Sequence, residues 1–260
     1  MKIVFFGRCV QYAAIMYRSI VYFMGILLST GILAAHHEEP EPMVAEVYEC
    51  TLNDGVTADD VAAMGSSDFA DLVAKHDLNM TTFLWEAIAV SPPYGDADVR
   101  WVNYFPTWGD YFAADAAWRK HGEKVGAKIN KLMTCGRPDL AGFMQAGEAA
   151  PDAPVKPLYI RVCELKPGNT VANAMAYRKA VNSIQNEQIG STVGSYMFTP
   201  GFGNPGFDYG AMVTGAPEDM AKVLDHSRDG STGKLLTEAG YTEPGNCTVD
   251  LHRSHMMVSQ

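Results

Sequence analysis

The cysteines offer the clearest chemistry in this sequence, because their spacing repeats. Cys50 and Cys163 lie 113 positions apart, and Cys135 and Cys247 lie 112 positions apart. This near-constant offset indicates an internal duplication. Four cysteines allow three disulfide pairings, but a repeat that once folded alone would need its bond within itself. We therefore predict the disulfides Cys50–Cys135 and Cys163–Cys247, with free buried thiols as the alternative.

Aromatic and polar side chains on the predicted strands are the candidate ligand contacts. Side chains alternate between the two faces of a strand. The first strand of each copy therefore has an apolar set, expected to meet the helices: Ala45, Val47, Ile160 and Val162. The mixed set, expected to face the interior between the sheets, is Glu46, Tyr48, Tyr159 and Arg161. There Arg161 would hold an anionic or carbonyl group, or pair with Glu46.

Aromatic rings on the second and third strands of each copy suit a site for a flat apolar ligand, with ordinary core packing as the alternative. These rings are Trp85, Trp101, Tyr104, Tyr196 and Tyr209. The predicted ligand contacts are Tyr48, Trp85, Trp101, Arg161, Tyr196 and Tyr209.

His252 and His255 are the candidates for haem ligation or proton transfer. They are three residues apart on the last predicted strand, so they face opposite sides and cannot bind one ion together. The structural alternative is that each histidine only packs or pairs locally. No metal site is predicted.

Several familiar catalytic motifs are absent from the sequence. It contains no Gly-x-Ser-x-Gly, no phosphate-binding glycine-lysine loop, no His-Glu-x-x-His and no Cys-x-x-Cys. The commonest signals of hydrolases, nucleotide-binding proteins, zinc proteases and thiol-redox proteins are therefore missing.

Residues 1–35 have the layout of a secretory signal peptide, with basic residues, an apolar run and then Ala34-Ala35. The alternatives are an uncleaved membrane anchor and a true start at Met16. Cleavage would remove Cys9 and change the formal net charge from −10 to −13. An acidic chain of this kind argues against binding nucleic acid or anionic membranes. We predict a periplasmic or secreted protein whose disulfides persist.

The rest of the chain divides into two copies of the element order βαββαβ. We predict a flexible lead-in at 36–43, a first repeat at 44–146, a linker at 147–157 and a second repeat at 158–260. The turn at 91–96 recurs at 199–204, and this offset of 108 aligns Trp101 with Tyr209. The order is that of the ferredoxin-like sandwich, with strands arranged 4-1-3-2.

Two tandem ferredoxin-like units resemble the dimeric α+β barrel superfamily in a fused form. The resemblance implies an α+β fold, a pocket between a sheet and its own helices or the partner sheet, and a monomer that contains both halves of the barrel. The superfamily includes cofactor-free monooxygenases, small stress-response proteins and haem-binding relatives. Our leading hypothesis is a protein that binds a small apolar or aromatic molecule. The alternatives are an oxidoreductase, cofactor-free or haem-dependent, and a structural or interaction module.

Overall fold

The computed structural model describes residues 42–91, 96–203 and 206–259. The described strands of the first repeat are β1 (Met43–Leu52), β2 (Thr81–Ala89), β3 (Val99–Phe105), β4 (Met133–Cys135) and β5 (Asp139–Gln145). Those of the second repeat are β6 (Val155–Leu165), β7 (Val193–Phe202), β8 (Tyr209–Gly215) and β9 (Gly245–Val258). The predicted signal peptide and residues 36–41 of the lead-in lie outside the described residues, as do parts of both repeated turns.

The strands form one closed sheet, an eight-stranded barrel with β4 as a short extra strand beside β1. Within each repeat the order follows the 4-1-3-2 pattern: β5-β1-β3-β2 in the first and β9-β6-β8-β7 in the second. Antiparallel pairing of β2 with β9 and of β5 with β7 joins the two repeats. The α+β fold class and the fused barrel are therefore confirmed.

Six helical regions accompany the strands in the described residues. The first, α1, consists of Ala58–Met64, a π-helical turn at Gly65–Phe69 and Ala70–Lys75. The others in the first repeat are α2 (Trp108–His121) and α3 (Glu123–Leu132). The second repeat contains α4 (Val171–Ser183, followed by a π-helical turn at Ile184–Gln188), α5 (Pro217–Arg228) and α6 (Ser231–Glu238). None of the described helices is long and apolar enough to cross a membrane.

Local sequence explains where these helices begin and how closely they pack. Thr57, Thr107 and Thr170 are N-caps, and each forms a reciprocal capping box with the residue three positions later. Gly65 allows α1 to approach β9, because any side chain there would collide with Met257.

Both predicted disulfides are present and have nearly identical places in the two repeats. Cys50 faces Cys135 across β1 and β4, and Cys163 faces Cys247 across β6 and β9. The Cα atoms of these pairs lie 4.0 and 4.1 Å apart. The predicted pairing, Cys50 with Cys135 and Cys163 with Cys247, is confirmed.

The predicted assignment of strand faces was wrong. The apolar residues Ala45 and Ile160 belong to a cluster inside the barrel, with Val47 and Val162 packed against it. Tyr48 instead packs against the core formed with the helices of the first repeat. The barrel interior is thus the apolar face, and the mixed face of each sheet meets the helices.

The strand register corrects one further expectation, the alignment of Trp101 with Tyr209. Trp101 pairs with Tyr48, whereas Tyr209 pairs with Cys163, so Tyr209 is the counterpart of Val99 and not of Trp101. Helix α3 ends at Leu132, because Met133–Cys135 pairs with β1.

Candidate functional site

A cavity of about 180 Å³ lies between the first-repeat sheet and its helices; we call it the helix-side cavity. Its aromatic lining comes from β1, α1, β3 and α2, and comprises Tyr48, Phe69, Trp101, Phe105, Tyr111 and Trp118. The rings of Phe69 and Trp101 meet edge to face with centroids 5.0 Å apart. A cavity of about 150 Å³ is known to hold a benzene-sized molecule, so this somewhat larger space suits a small, flat aromatic molecule.

A hydrogen-bonded network of buried side chains forms one wall of this cavity. Glu46 accepts hydrogen bonds from the Tyr48 hydroxyl at 3.0 Å and from Asn103 Nδ2 at 2.8 Å. Asn103 Oδ1 in turn accepts from Thr82 Oγ1 at 2.9 Å and from Trp101 Nε1 at 3.0 Å. Every member of this network therefore has a partner, which fixes the orientation of the Glu46 carboxyl.

Burial raises the pKa of Glu46 above its ordinary value, and nearby Asp115 raises it further. The hydrogen bonds from Asn103 and Tyr48 oppose this shift. Burial is also the main cause that raises the pKa of Tyr48, and the charge of Glu46 raises it further. Such an environment favours a carboxyl group that exchanges a proton nearer neutral pH, as a general base requires.

A second cavity, of about 360 Å³, lies inside the barrel; we call it the barrel cavity. Its walls come from strands of both repeats and include Ala45, Trp85, Tyr104, Phe143, Ile160 and Met212. Its charged lining residues are Glu49, Arg100, Asp139 and Asp250. Arg100 forms a salt bridge with Glu49 at 3.1 Å.

The six predicted ligand contacts do not form one site. Tyr48 and Trp101 line the helix-side cavity, and Trp85 lines the barrel cavity. Tyr196 stacks on Phe143 with ring centroids 5.3 Å apart, and its hydroxyl accepts a hydrogen bond from the Ala150 backbone.

Arg161 and Tyr209 lie on the helix side of the second repeat, away from both cavities. Arg161 is bonded to Glu243, and Tyr209 belongs to a core cluster with Cys163. The expected pairing of Glu46 with Arg161 was wrong, since each residue finds its partners within its own repeat.

His252 and His255 face opposite sides of β9, as expected. His252 is fully buried, and its Nε2 lies 3.3 Å from Arg100 Nη1. Burial is the main cause that lowers the pKa of His252 to about 3, and the charge of Arg100 lowers it further. A hydrogen bond with the Glu86 backbone raises this pKa, but its effect is weaker. His255 Nε2 lies 3.3 Å from the Glu86 carboxylate.

These surroundings do not fit an axial haem ligand. The imidazole nitrogen that would bind iron faces a guanidinium in one case and a carboxylate in the other. Neither histidine lines the helix-side cavity or the barrel cavity. We therefore assign no haem chemistry to them.

Sequence reasoning missed two residues that matter to these cavities, Asn103 and Asp250, although it included Tyr104 among the candidate aromatic rings. Each is polar and lies within a strand, where a buried polar side chain needs a partner or a ligand. Asn103 gave the strongest signal, because it is an amide in the middle of the aromatic strand 99–105. All seven residues of that strand are buried.

Comparison with known proteins gives no match to a protein-family model and no match among curated proteins. Solved structures do match. A protein from Lactobacillus acidophilus NCFM, provisionally described as a monooxygenase, is 14% identical with a TM-score of 0.51, covering 84% of this chain and 97% of its own. Another provisional monooxygenase, from Fusobacterium nucleatum, is 13% identical with a TM-score of 0.50, covering 84% and 94%. A mutant chlorite dismutase from Candidatus Nitrospira defluvii is 8% identical with a TM-score of 0.49, covering 82% and 91%.

The closed-barrel topology, together with the two neighbours from Lactobacillus acidophilus and Fusobacterium nucleatum, shows the fold: it is the dimeric α+β barrel fold, with both ferredoxin-like units in a single polypeptide. At these identities the likeness shows the fold alone. The chemistry must be argued from the two cavities.

Proposed function

We propose that this protein binds a small, flat aromatic molecule in the helix-side cavity. The observation that carries the proposal is a ring-lined space of about 180 Å³ with the buried Glu46 carboxyl in its wall. The rings supply an apolar surface, and Glu46 supplies one fixed hydrogen-bond acceptor. A phenol or a similar ring with one donor group matches this arrangement.

We also propose that the protein works outside the cytoplasm, either in a periplasm or as a secreted protein. Support comes from the two disulfides, which persist in oxidising compartments, and from the leader-like residues 1–35. Mass spectrometry of the exported protein tests this proposal, since cleavage after Ala35 should leave His36 as the first residue.

The first experiment is native mass spectrometry together with an absorption spectrum of protein exported into an oxidising compartment. A retained aromatic compound would identify the ligand directly. Titration with 2-naphthol then measures binding to protein that carries no ligand. We expect saturable binding in the micromolar to millimolar range, about −8 to −4 kcal/mol.

The matched variants for that titration lie on α2. Ala114 is buried and lines the cavity, whereas Ala116 on the same helix is exposed. Ala114→Leu should fill the space and weaken binding about tenfold or more, while Ala116→Leu should not change it. Equal affinities for the two variants would refute the helix-side cavity as the binding site.

A second candidate function, cofactor-free oxidation, is favoured by the raised pKa of Glu46. In that reaction the Glu46 carboxylate would accept the proton of a phenolic or activated C–H group. The resulting electron-rich anion would then react with dioxygen, which serves as the oxidant. The monooxygenase description of two structural neighbours agrees with this chemistry at the level of fold.

Oxygen uptake in the presence of naphthols and hydroquinones tests the second function. Glu46→Gln removes the base and should lower turnover by about 100-fold or more, the usual contribution of a general base. Tyr48→Phe keeps the carboxylate and should have a smaller effect. Binding of 2-naphthol without oxygen uptake would leave a binding protein and exclude the enzyme for these substrates.

A further inference from the structure

The barrel cavity has the features of a separate ligand site. Its volume of about 360 Å³ is twice that of the helix-side cavity and lies within the range of small-molecule pockets, about 300–1,000 Å³. Strands of both repeats line it, with Trp85, Phe143 and Phe198 among the apolar and aromatic walls. It is thus a space that the fused barrel itself creates.

Two buried polar groups on the wall of this cavity are incompletely satisfied. Tyr104 is 5% exposed, and its hydroxyl forms no hydrogen bond with any residue that the structure describes. Asp250 is 3% exposed, and one carboxylate oxygen accepts the Ser91 backbone N–H at 2.8 Å. No described cation forms a salt bridge with Asp250. The Tyr104 hydroxyl and the second carboxylate oxygen of Asp250 therefore have hydrogen-bonding capacity that a ligand can use.

The charges that line the barrel cavity have an acidic excess. Among the described lining residues there are three carboxylates, on Glu49, Asp139 and Asp250, and one guanidinium, that of Arg100. Arg100 is already engaged with Glu49 at 3.1 Å. The adjacent His252 remains uncharged, because burial and Arg100 lower its pKa. A cation is therefore the ligand charge that this lining favours.

We propose that the barrel cavity binds a primary amine attached to an aromatic body. The ammonium group donates to Asp250, and the ring packs among Trp85 and Phe143 in the apolar interior. The Tyr104 hydroxyl supplies a further hydrogen bond to the polar part of the ligand. Aromatic walls also attract a cation directly, which adds to the preference for an amine over a neutral ring.

The test compares two probes of similar shape and opposite charge, 2-phenylethylamine and 3-phenylpropionate, by calorimetric titration of the full disulfide-bonded protein. We expect the amine to bind at least about tenfold more tightly than the carboxylate. This comparison uses the wild-type protein and does not depend on any variant folding.

Asp250→Asn keeps an acceptor for the Ser91 N–H but removes the charge, and should weaken amine binding about tenfold. Asp208→Asn is the matched control, because Asp208 also accepts a backbone N–H, from Leu165, but is exposed and does not line the cavity. The Asp208→Asn variant should bind 2-phenylethylamine as tightly as the wild type does. Equal binding of the two probes, equal effects of the two variants, or no amine binding at about 1 mM would each overturn the proposal. These outcomes are independent of 2-naphthol binding in the helix-side cavity.

Discussion

Asn103 is the residue on which the polar wall of the helix-side cavity depends. Its side-chain amide contacts three other buried or half-buried groups, on Glu46, Thr82 and Trp101. Asn103→Leu has a similar volume but removes one of the two hydrogen bonds to Glu46 and leaves the Trp101 N–H and the Thr82 hydroxyl without a partner. A buried polar group left unpaired costs about 1–3 kcal/mol. We expect this variant to lower the free energy of unfolding by about 3 kcal/mol in urea denaturation.

Thr82→Val is the graded control for that variant. It removes one hydroxyl and leaves Asn103 bonded to Glu46 and Trp101. The expected loss is about 1 kcal/mol, the net contribution of one hydrogen bond. Losses of equal size for the two variants would mean that Asn103 does not organise the network.

His252 should make the stability of the protein depend on pH below neutrality. The unfolded side chain takes up a proton near its ordinary pKa of 6.5, whereas the buried side chain does so only near about 3. Between these values the unfolded state binds more protons, so stability falls as the pH falls. Between about pH 7.5 and pH 5, the free energy of unfolding of the wild type should fall by about 2 kcal/mol more than that of His252→Gln.

Chemical denaturation of both proteins at the two pH values measures this difference. A wild-type protein and a His252→Gln variant with the same pH dependence would show that His252 is accessible to protons in the folded state.

At the level of elements, the two disulfides should stabilise similarly but affect ligand binding differently. They close loops with sequence separations of 85 and 84. Replacing either pair with alanines should cost roughly 2–5 kcal/mol in urea denaturation. Cys135 also lines the helix-side cavity, so loss of the first bond should weaken 2-naphthol binding. Loss of Cys163–Cys247 should leave that affinity unchanged, and equal effects would contradict the assignment.

The elements also show how far sequence reasoning reaches in this fold. Repeated cysteine spacing and element order were sufficient for the topology and both disulfides, because pairing within a repeat places those residues on neighbouring strands. The alternation of side chains along each strand did not reveal which face of the strand points into the barrel. Val44, Ala45 and Glu46 are all buried in succession, since β1 is covered by helices on one face and by the barrel interior on the other.

The candidate cavities could not be predicted without knowing which residues far apart in the sequence contact each other. Glu46 became a candidate base only through its hydrogen bond with Asn103, 57 positions away. The barrel cavity depends on the joining of the two repeats, so its lining residues could not be grouped from either repeat alone. Trp85 and Asp250 line it from β2 and β9, strands of different repeats that pair with each other.

At the scale of the whole molecule, the barrel is complete only when both repeats are present. Each repeat alone would leave the seams of β2 with β9 and of β5 with β7 unpaired and would expose the apolar cluster inside the barrel. Exposed strand edges and apolar surface favour association. Residues 42–150 and 151–259, produced separately with their own disulfides, should therefore not persist as folded monomers.

Co-expression of the two halves should instead give a stable one-to-one complex, because the seam hydrogen bonds do not require the linker between the repeats. Light scattering and native mass spectrometry would measure the masses, and 2-phenylethylamine would test whether the barrel cavity has re-formed. A folded monomeric half would contradict the dependence on closure. Retained amine binding by a single half would instead contradict a cavity made by both repeats.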